Sequence, residues 1–257
     1  ASDAVSVRGS FYSGLRVPTL NELYKPFRAA GGVVTEANAA LDPERLFGAE
    51  LGLDIQPDPG VLIRLTGFLA NVSDAILDAT VQEAETSGHI APCGFVPAGG
   101  VCRQRENLGT LRSMGLETEI EFRTAGAWLL SLSHQLSPTE ITAAPGRPDI
   151  VGNDALGSPL HRATFRVGHV DPTTLEVVAT GQYLGTRFDN DLNTAEAADS
   201  FLLDLRVRRQ ITSQVTAFAS LQNVFDTVAE ISHDANDFIR IAQPRTFLGG
   251  LRVRLGS

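Results

Sequence analysis

The stretch GLETEIEFR, residues 115–123, decides the fold class because its uncharged and charged residues alternate strictly. An extended chain would present the two kinds on opposite faces: Leu116, Thr118, Ile120 and Phe122 against Glu117, Glu119, Glu121 and Arg123. Side chains alternate with this period of two in a β-strand, whereas a helical face repeats every 3.6 residues. The stretch therefore predicts a long strand with one apolar and one charged face.

The same alternation recurs along the chain, and helical periodicity is almost absent. Ten segments show it, at roughly 3–13, 45–57, 61–77, 108–124, 127–138, 159–170, 174–187, 199–212, 214–226 and 243–255. Strands of about 10–14 residues are well above the usual five or six. We expect an all-β fold in which each segment pairs with the next.

The connections between these segments alternate in length. This predicts that all short turns lie at one edge of the barrel, the short-turn rim, and all long loops at the other, the long-loop rim. The short ones are 56–60, 124–127, 171–174 and 212–214, and the long ones are 14–44, 78–107, 139–158, 188–198 and 227–242. Long strands with one-sided loops are typical of an antiparallel up-and-down meander in a transmembrane β-barrel. Both termini should then lie on the short-turn rim, because an even number of strands returns the chain to its starting side.

A soluble β-sandwich would give the same alternation, so strand length and loop asymmetry carry the membrane interpretation. The aromatic girdle expected at membrane interfaces is thin, with one Trp and three Tyr, although thirteen Phe are present. No segment has the run of about 18 apolar residues that a membrane helix needs. The net charge of −9, without a basic tract, argues against a nucleic-acid partner.

The two cysteines, Cys93 and Cys102, are separated by eight residues, four of which are Gly or Pro. A disulfide closing this small loop is the favoured interpretation, and it would imply an oxidising compartment. Free thiols remain an alternative. A metal site is disfavoured because only His89 lies near as a further ligand. No catalytic constellation and no cofactor motif stands out, and the five histidines are scattered.

Seven segments resemble, in the same order, motifs of TonB-dependent outer-membrane receptors. They are GLRVPTLNELYKPFR (14–28), NAALDPERLFGAELGL (38–53), LTGFLANVSDAI (65–76), ENLGTLRSMGLETEIEF (106–122), SPLHRATF (158–165), LQNVFD (221–226) and PRTFLGGLRVRL (244–255). All seven belong to the C-terminal part of that family's barrel. The resemblance implies a single domain over residues 1–257, a fragment of the barrel in the outer membrane of a Gram-negative bacterium.

The resemblance also implies a function and partners. Such receptors import a scarce nutrient of the siderophore, cobalamin, haem or oligosaccharide type, with energy relayed by TonB through a plug domain that has no match in this sequence. The expected partners are outer-membrane lipid, the TonB system and a small nutrient ligand. The resemblance does not imply an enzyme. An alternative is an extracellular or surface all-β binding module without transport activity.

Candidate site residues follow from the faces of the strands and from the long loops. We expect the charged face to line the lumen, with candidates Glu50, Glu117, Glu119, Glu121, Arg206, Arg208, Arg252 and Arg254. These arginines, paired with such carboxylates, could form ladders between strands. We expect the opposite face to point outward at Leu51, Leu53, Leu203, Leu205, Val207, Leu251 and Val253.

The outer loops supply candidates for ligand contact, namely Tyr24, Arg28, Phe95 and Phe188. Within the first loop, Thr19-Leu20-Asn21-Glu22 has the form of a capping box and predicts a short helix near residues 19–25. The acidic stretch FDNDLN (188–193) could hold calcium through its oxygens, but a polar surface loop explains it better.

Overall fold

The computed structural model describes residues 4–171, 173–233 and 239–255. Ten long strands form the main sheet. They are β1 (Val5–Arg16), β2 (Glu44–Ile55), β3 (Val61–Ser73), β4 (Thr110–Arg123), β5 (Trp128–Leu136), β6 (His161–Val170), β7 (Leu175–Leu184), β8 (Ser200–Gln210), β9 (Val215–Gln222) and β10 (Thr246–Val253). Each of the ten segments chosen for its alternation overlaps one of these strands, although β1 runs three residues past the predicted 3–13 and β2 begins one residue before 45–57.

The main sheet is an antiparallel meander in which neighbours in sequence are neighbours in space, from β1 at one edge to β10 at the other. Val5 lies opposite Ile55 at the short-turn rim, and Arg16 lies opposite Glu44 at the long-loop rim. Val253, at the end of β10, lies opposite Val215 beside a short turn. The predicted topology and the placement of both ends on the short-turn rim are therefore confirmed.

The two edges do not meet within the described residues, so this part of the chain forms an open sheet. A further short strand, Thr139–Ala143, pairs with the outer end of β4 beside β5. No helix among the described residues is long and apolar enough to cross a membrane.

We call the ten-stranded main sheet the wall. Opposed residues in an antiparallel pair share a face, so the register assigns each residue of the wall to one of two faces. Arg64 lies opposite Glu119, and Glu119 lies opposite Ser133. We call the face that carries these three residues the polar face and the opposite one the apolar face. All seven residues that we expect to point outward lie on the apolar face.

The apolar face is exposed along its length, as at Phe11 (83%) and Leu251 (69%). A soluble protein rarely exposes apolar surface on this scale. Trp128, the only Trp of the chain, also lies on this face, where β5 begins beside a short turn. The residue is 59% exposed, and its ring meets the His169 ring edge-on with the ring centres 5.5 Å apart.

The five long loops are loop 1 (17–43), loop 2 (74–109), loop 3 (137–160), loop 4 (185–199) and loop 5 (223–245). The two clusters of buried apolar residues in the described part of the chain lie in these loops. Val34 packs with Cys93, Val96 and Cys102 in one cluster. A second cluster joins loops 2 and 3, with Ala79, Leu108, Ala144 and Ile150 around Ile141. The loops therefore pack against one another and form a layer, which we call the loop layer, with its own buried apolar side chains.

Loop 1 contains the predicted helix, α1 (Leu20–Tyr24), whose capping box is formed. The Thr19 N–H donates to the Glu22 carboxylate at 2.7 Å, and the Glu22 N–H donates to the Thr19 hydroxyl at 3.3 Å. Partial burial opposes ionisation of Glu22. Hydrogen bonds from Thr19 and Arg16 outweigh this effect and hold the pKa of Glu22 below its ordinary value.

The loops contain more regular structure than the sequence predicted. Besides two short 3₁₀ helices, Ala30–Gly32 and Pro148–Ile150, the described residues of the loops form eleven short strands. These are Phe27–Arg28, Val33–Glu36, Ile76–Glu83, Gly88–Ile90, Gly94–Val96, Val101–Asn107, Thr139–Ala143, Arg187–Phe188, Glu196–Ala197, Glu230–His233 and Ile239–Ile241.

One pair of these loop strands is parallel, namely Val33–Glu36 with Val101–Asn107. The expectation of antiparallel pairs alone is correct for the wall and wrong for the loop layer. A hairpin connection forces antiparallel pairing, but strands that come from different loops have no such constraint.

Cys93 and Cys102 form a disulfide with their Cα atoms 5.7 Å apart, which confirms the favoured interpretation and excludes free thiols or a metal site at these two residues. The chain between them turns through Gly94 and Gly99, with φ of 71° and 76°. Glycine adopts this left-handed region without steric cost. The disulfide lies in loop 2, which agrees with the expectation that it belongs to one of the long loops.

Candidate functional site

A cavity of about 560 Å³ lies where all five long loops meet. We call it the five-loop cavity. Each loop contributes to its lining: Arg28 from loop 1, Arg103 from loop 2, Leu156 from loop 3, Asp189 from loop 4 and Arg240 from loop 5. The packed loop layer thus brings together residues that are distant in sequence.

The carboxylates in the lining are already engaged by other groups. Asp78 forms an ion pair with Arg105 at 3.6 Å. Asp189 accepts a hydrogen bond from the backbone N–H of His233. Arg105 neutralises Asp78, whereas the neutral N–H of His233 leaves the charge of Asp189 in place, so three arginines in the lining face one uncompensated carboxylate.

Among the described residues, the three arginines of the five-loop cavity have only neutral hydrogen-bond acceptors or none. Arg28 donates to the carbonyl oxygens of Phe95 at 3.2 Å and Cys93 at 3.3 Å, and Arg240 Nε donates to the Ser232 hydroxyl at 3.1 Å. Carbonyl and hydroxyl oxygens leave a guanidinium charge uncompensated. The cavity is therefore electropositive.

Arg103 has an unsatisfied donor in this cavity. Its Nε is buried and has no hydrogen-bond partner among the described residues. Leaving a buried donor without a partner costs about 1–3 kcal/mol. A guanidinium is well suited to carboxylate, phosphate and other oxyanions because its planar fork can donate two parallel hydrogen bonds. The lining is suited to an anionic ligand.

Of the four residues predicted for ligand contact, only Arg28 lines the five-loop cavity. Tyr24 is the last residue of α1 and is 66% exposed. Phe95 lies in the disulfide loop, with its ring 6.2 Å from that of His89. Phe188 lies in the short strand Arg187–Phe188, opposite Glu196.

The sequence did not single out Arg103 or Arg240. Arg103 directly follows Cys102, and that position beside a disulfide could have drawn attention to it. Arg240 has no local signal, because its place in the cavity depends on how loop 5 packs on the other loops.

The eight charged residues predicted for the lumen all lie on the polar face, in two separate groups. Glu50, Glu117 and Glu119 line a cavity of about 410 Å³ together with Arg8 and Arg64. Four arginines line another cavity of about 360 Å³: Arg206, Arg208, Arg252 and Arg254. The eighth residue, Glu121, lies farther along β4.

The expected ladders between these arginines and the glutamates of β4 are absent from the described residues. Strands β5, β6 and β7 separate the two groups. Glu119 pairs instead with Arg64 at 2.6 Å, and Glu121 pairs with Arg123 at 2.6 Å. Arg208 pairs with Glu176 of β7 at 3.3 Å.

The acidic stretch 188–193 is not the polar surface loop that we expected, because Asn190 and Asp191 are buried. Asp191 is 3% exposed and accepts hydrogen bonds from the Thr80 N–H at 3.0 Å and the Thr80 hydroxyl at 2.5 Å. Arg147 of loop 3 lies 3.4 Å from the same carboxylate. No group of metal-ligating side chains occurs within the part of the chain that the structure describes. Asp191 links loops 2, 3 and 4.

The comparisons with known proteins agree with this geometry. A family model described as TonB dependent receptor-like, beta-barrel, matches residues 1–224. No curated protein sequence matches the chain at a significant level.

Several solved structures have the same fold. The copper transporter OprC is 18% identical with a TM-score of 0.72, and the alignment covers 98% of this chain and 38% of that one. A mutant of the ferric enterobactin receptor PfeA of Pseudomonas aeruginosa is 15% identical with a TM-score of 0.69, over 98% and 38%. The ferric yersiniabactin uptake receptor FyuA of Yersinia pestis is 18% identical with a TM-score of 0.69, over 98% and 35%. The chain thus spans less than two fifths of each of these structures.

Proposed function

The chain belongs to the TonB-dependent receptor-like β-barrel family, and on that premise we propose that it supplies wall and ligand-binding loops to a receptor for an anionic nutrient. Membership places the protein in the outer membrane of a Gram-negative bacterium, among nutrient receptors and transporters and not among enzymes. The ligand class, the energy source and the roles of individual residues are parts of the proposal.

The observation that carries the proposal is the electropositive five-loop cavity. Arg28, Arg103 and Arg240 converge there, and no carboxylate in the described part of the chain pairs with them. Among the nutrients that such receptors import, this lining favours ferric siderophores and haem, which bear anionic oxygens, over cobalamin and neutral oligosaccharides. The names of PfeA and FyuA as receptors for ferric enterobactin and ferric yersiniabactin agree with this choice.

We infer that residues 1–257 form one domain, the C-terminal portion of the barrel. Its polar face would line the lumen, and its apolar face would contact outer-membrane lipid. A plug domain outside these residues would occupy the lumen and engage TonB, so that import draws on TonB-relayed energy.

Uptake by whole cells tests the proposal. Cells that lack the gene would be complemented with the protein and supplied with labelled ferric siderophores, haem, cobalamin and maltodextrin. We expect energy-dependent uptake of an anionic compound that stops when TonB is removed. Uptake of neutral compounds alone, or uptake that continues without TonB, would refute the proposal.

Matched variants test the role of the five-loop cavity. Arg240→Gln removes a charge from the lining, and we expect it to weaken binding of the transported compound about tenfold, which corresponds to about 1.4 kcal/mol. Arg245→Gln removes an exposed charge from the same loop outside the lining, and it should leave binding unchanged. Equal effects of the two substitutions would mean that the cavity is not the binding site.

A further inference from the structure

A second loop cavity, of about 390 Å³, lies at the outer end of the polar face. Arg162 of β6, Gln182 of β7 and Ser200 of β8 form its wall side. Arg187 of loop 4 and Ile231 of loop 5 form its loop side. It shares no lining residue with the five-loop cavity.

Arg187 is buried in this lining and is only partly satisfied. It is 7% exposed. Its Nη2 donates to the carbonyl oxygens of Glu230 at 2.7 Å and Ile231 at 2.8 Å. Its Nη1 is buried and has no hydrogen-bond partner among the described residues. A buried cation without a counter-charge is costly, so a site that keeps one needs a compensating anion.

Glu230 also lines the cavity, but its carboxylate is held elsewhere. It accepts a hydrogen bond from the Ala198 N–H at 2.8 Å and lies 4.0 Å from His233 Nδ1. No ion pair joins it to Arg187 within the described ranges. The counter-charge that Arg187 lacks therefore does not come from this neighbour.

Arg162 adds a second cation, an exposed one that also lines the wall cavity of Glu50, Glu117 and Glu119. It lies on the polar face near the start of β6, and neither a hydrogen bond nor an ion pair engages its side chain among the described residues. Two guanidinium groups thus line one cavity, and no carboxylate within residues 4–171, 173–233 and 239–255 forms an ion pair with either. Gln182 and Ser200 add neutral donors beside them.

We propose that this second cavity is an oxyanion-binding site, with Arg187 Nη1 and the Arg162 guanidinium as its principal donors. It takes a carboxylate, phosphate or deprotonated catechol group of a small molecule. A water molecule could accept from Nη1 but would leave both charges uncompensated, whereas an oxyanion satisfies the donor and the charge together. The identity of the natural ligand rests on the proposed function, but the site itself can be tested with a simple anion.

The test is binding of inorganic pyrophosphate to the full-length protein purified in detergent, measured by isothermal titration calorimetry. Arg162→Gln should weaken the binding about tenfold, because this residue lies on a wall strand and anchors no loop. Arg187→Gln should weaken it at least as much, although this change also removes the contacts to loop 5. The control is Arg209→Gln, an exposed residue on the apolar face, which should bind as the wild type does.

Two outcomes would overturn the inference. One is a wild-type protein that shows no saturable pyrophosphate binding. The other is binding that Arg240→Gln weakens and Arg162→Gln does not, since the anion would then occupy the five-loop cavity. Absence of nutrient uptake by cells would refute the proposed function while leaving a positive pyrophosphate result in place, so the two failures are distinguishable.

Discussion

At the scale of single residues, neighbours such as Leu205 and Arg206 face opposite sides of β8. Leu205 lies opposite Ala179 and Leu221, in the middle of the wall. We predict that Leu205→Arg lowers the free energy of unfolding in phospholipid vesicles by about 2–4 kcal/mol, if this position is near the bilayer midplane. The comparison is Arg206→Leu on the polar face. A neutral Leu205→Arg together with a disruptive Arg206→Leu would reverse the assignment of the two faces.

Asp171, in a short turn outside the wall, gives a prediction about pH. Hydrogen bonds from the Thr173 and Thr174 hydroxyls and from the Thr173 N–H lower its pKa to about 2, below the ordinary value of 3.8. A lowered pKa in the folded state stabilises the fold above pH 3.8, and this contribution is lost as the pH falls toward 2.

Melting temperatures of the wild type and of Asp171→Asn test this between pH 7 and pH 2. The wild type should melt slightly higher at pH 7, and the difference should close between about pH 4 and pH 2. A difference that stayed constant over this range would show that the carboxylate charge is not involved. The effect should be small, because the turn is exposed.

At the scale of elements, loop 2 depends on its disulfide. Closing a loop between cysteines nine positions apart removes chain entropy worth roughly 2.5 kcal/mol in the polymer model. We predict that replacing Cys93 and Cys102 by Ser speeds proteolysis within loop 2. Hydrogen exchange in the wall strands should remain unchanged. If exchange rose equally in the wall, the loop layer and the wall would form one cooperative unit.

Asp191 gives a second prediction for the loops, because it holds three of them together. Asp191→Ala would remove the acceptor of the Thr80 N–H and hydroxyl and should destabilise the loop layer by about 3 kcal/mol. The readout is proteolysis of loops 2, 3 and 4 in the folded protein. The exposed Asp149, which pairs with the same Arg147 at 2.9 Å, serves as the control through Asp149→Ala. That substitution should change little.

The wall could be predicted from sequence, and most of the loop layer could not, for a physical reason. A strand such as β4 can be recognised from a short stretch of sequence. Its two faces have different surroundings, so the residue type alternates from one position to the next. The capping box of α1 is equally local. In contrast, Asp191 is buried by contact with Thr80, 111 positions away in the chain. No short-range pattern encodes such a contact.

The candidate site divides in the same way. Arg28 could be chosen because it is a basic residue that ends a recognisable motif. Arg103 and Arg187 matter because their donors are buried without partners, and burial of this kind depends on the packing of several loops. Sequence alone identifies arginines but does not show which of them lack an acceptor.

At the scale of the whole molecule, the open sheet has two unsatisfied edges, β1 and β10. Such edges recruit other strands. We predict that residues 1–257, produced alone in detergent, form concentration-dependent oligomers in light-scattering measurements. A monodisperse monomer whose β1 and β10 can be crosslinked through introduced cysteines would instead indicate closure into a narrow barrel.

The placement of Trp128 has a practical consequence for work on this protein. As the single indole of the chain, it is an intrinsic fluorophore at one defined place in the sheet, on the apolar face where β5 meets a short turn. Its emission should shift to the blue when the wall enters a bilayer. Brominated acyl chains should quench it most strongly when the bromine lies near the headgroups of the inner leaflet. Fluorescence of Trp128 can thus report insertion of the wall into a bilayer without an added label.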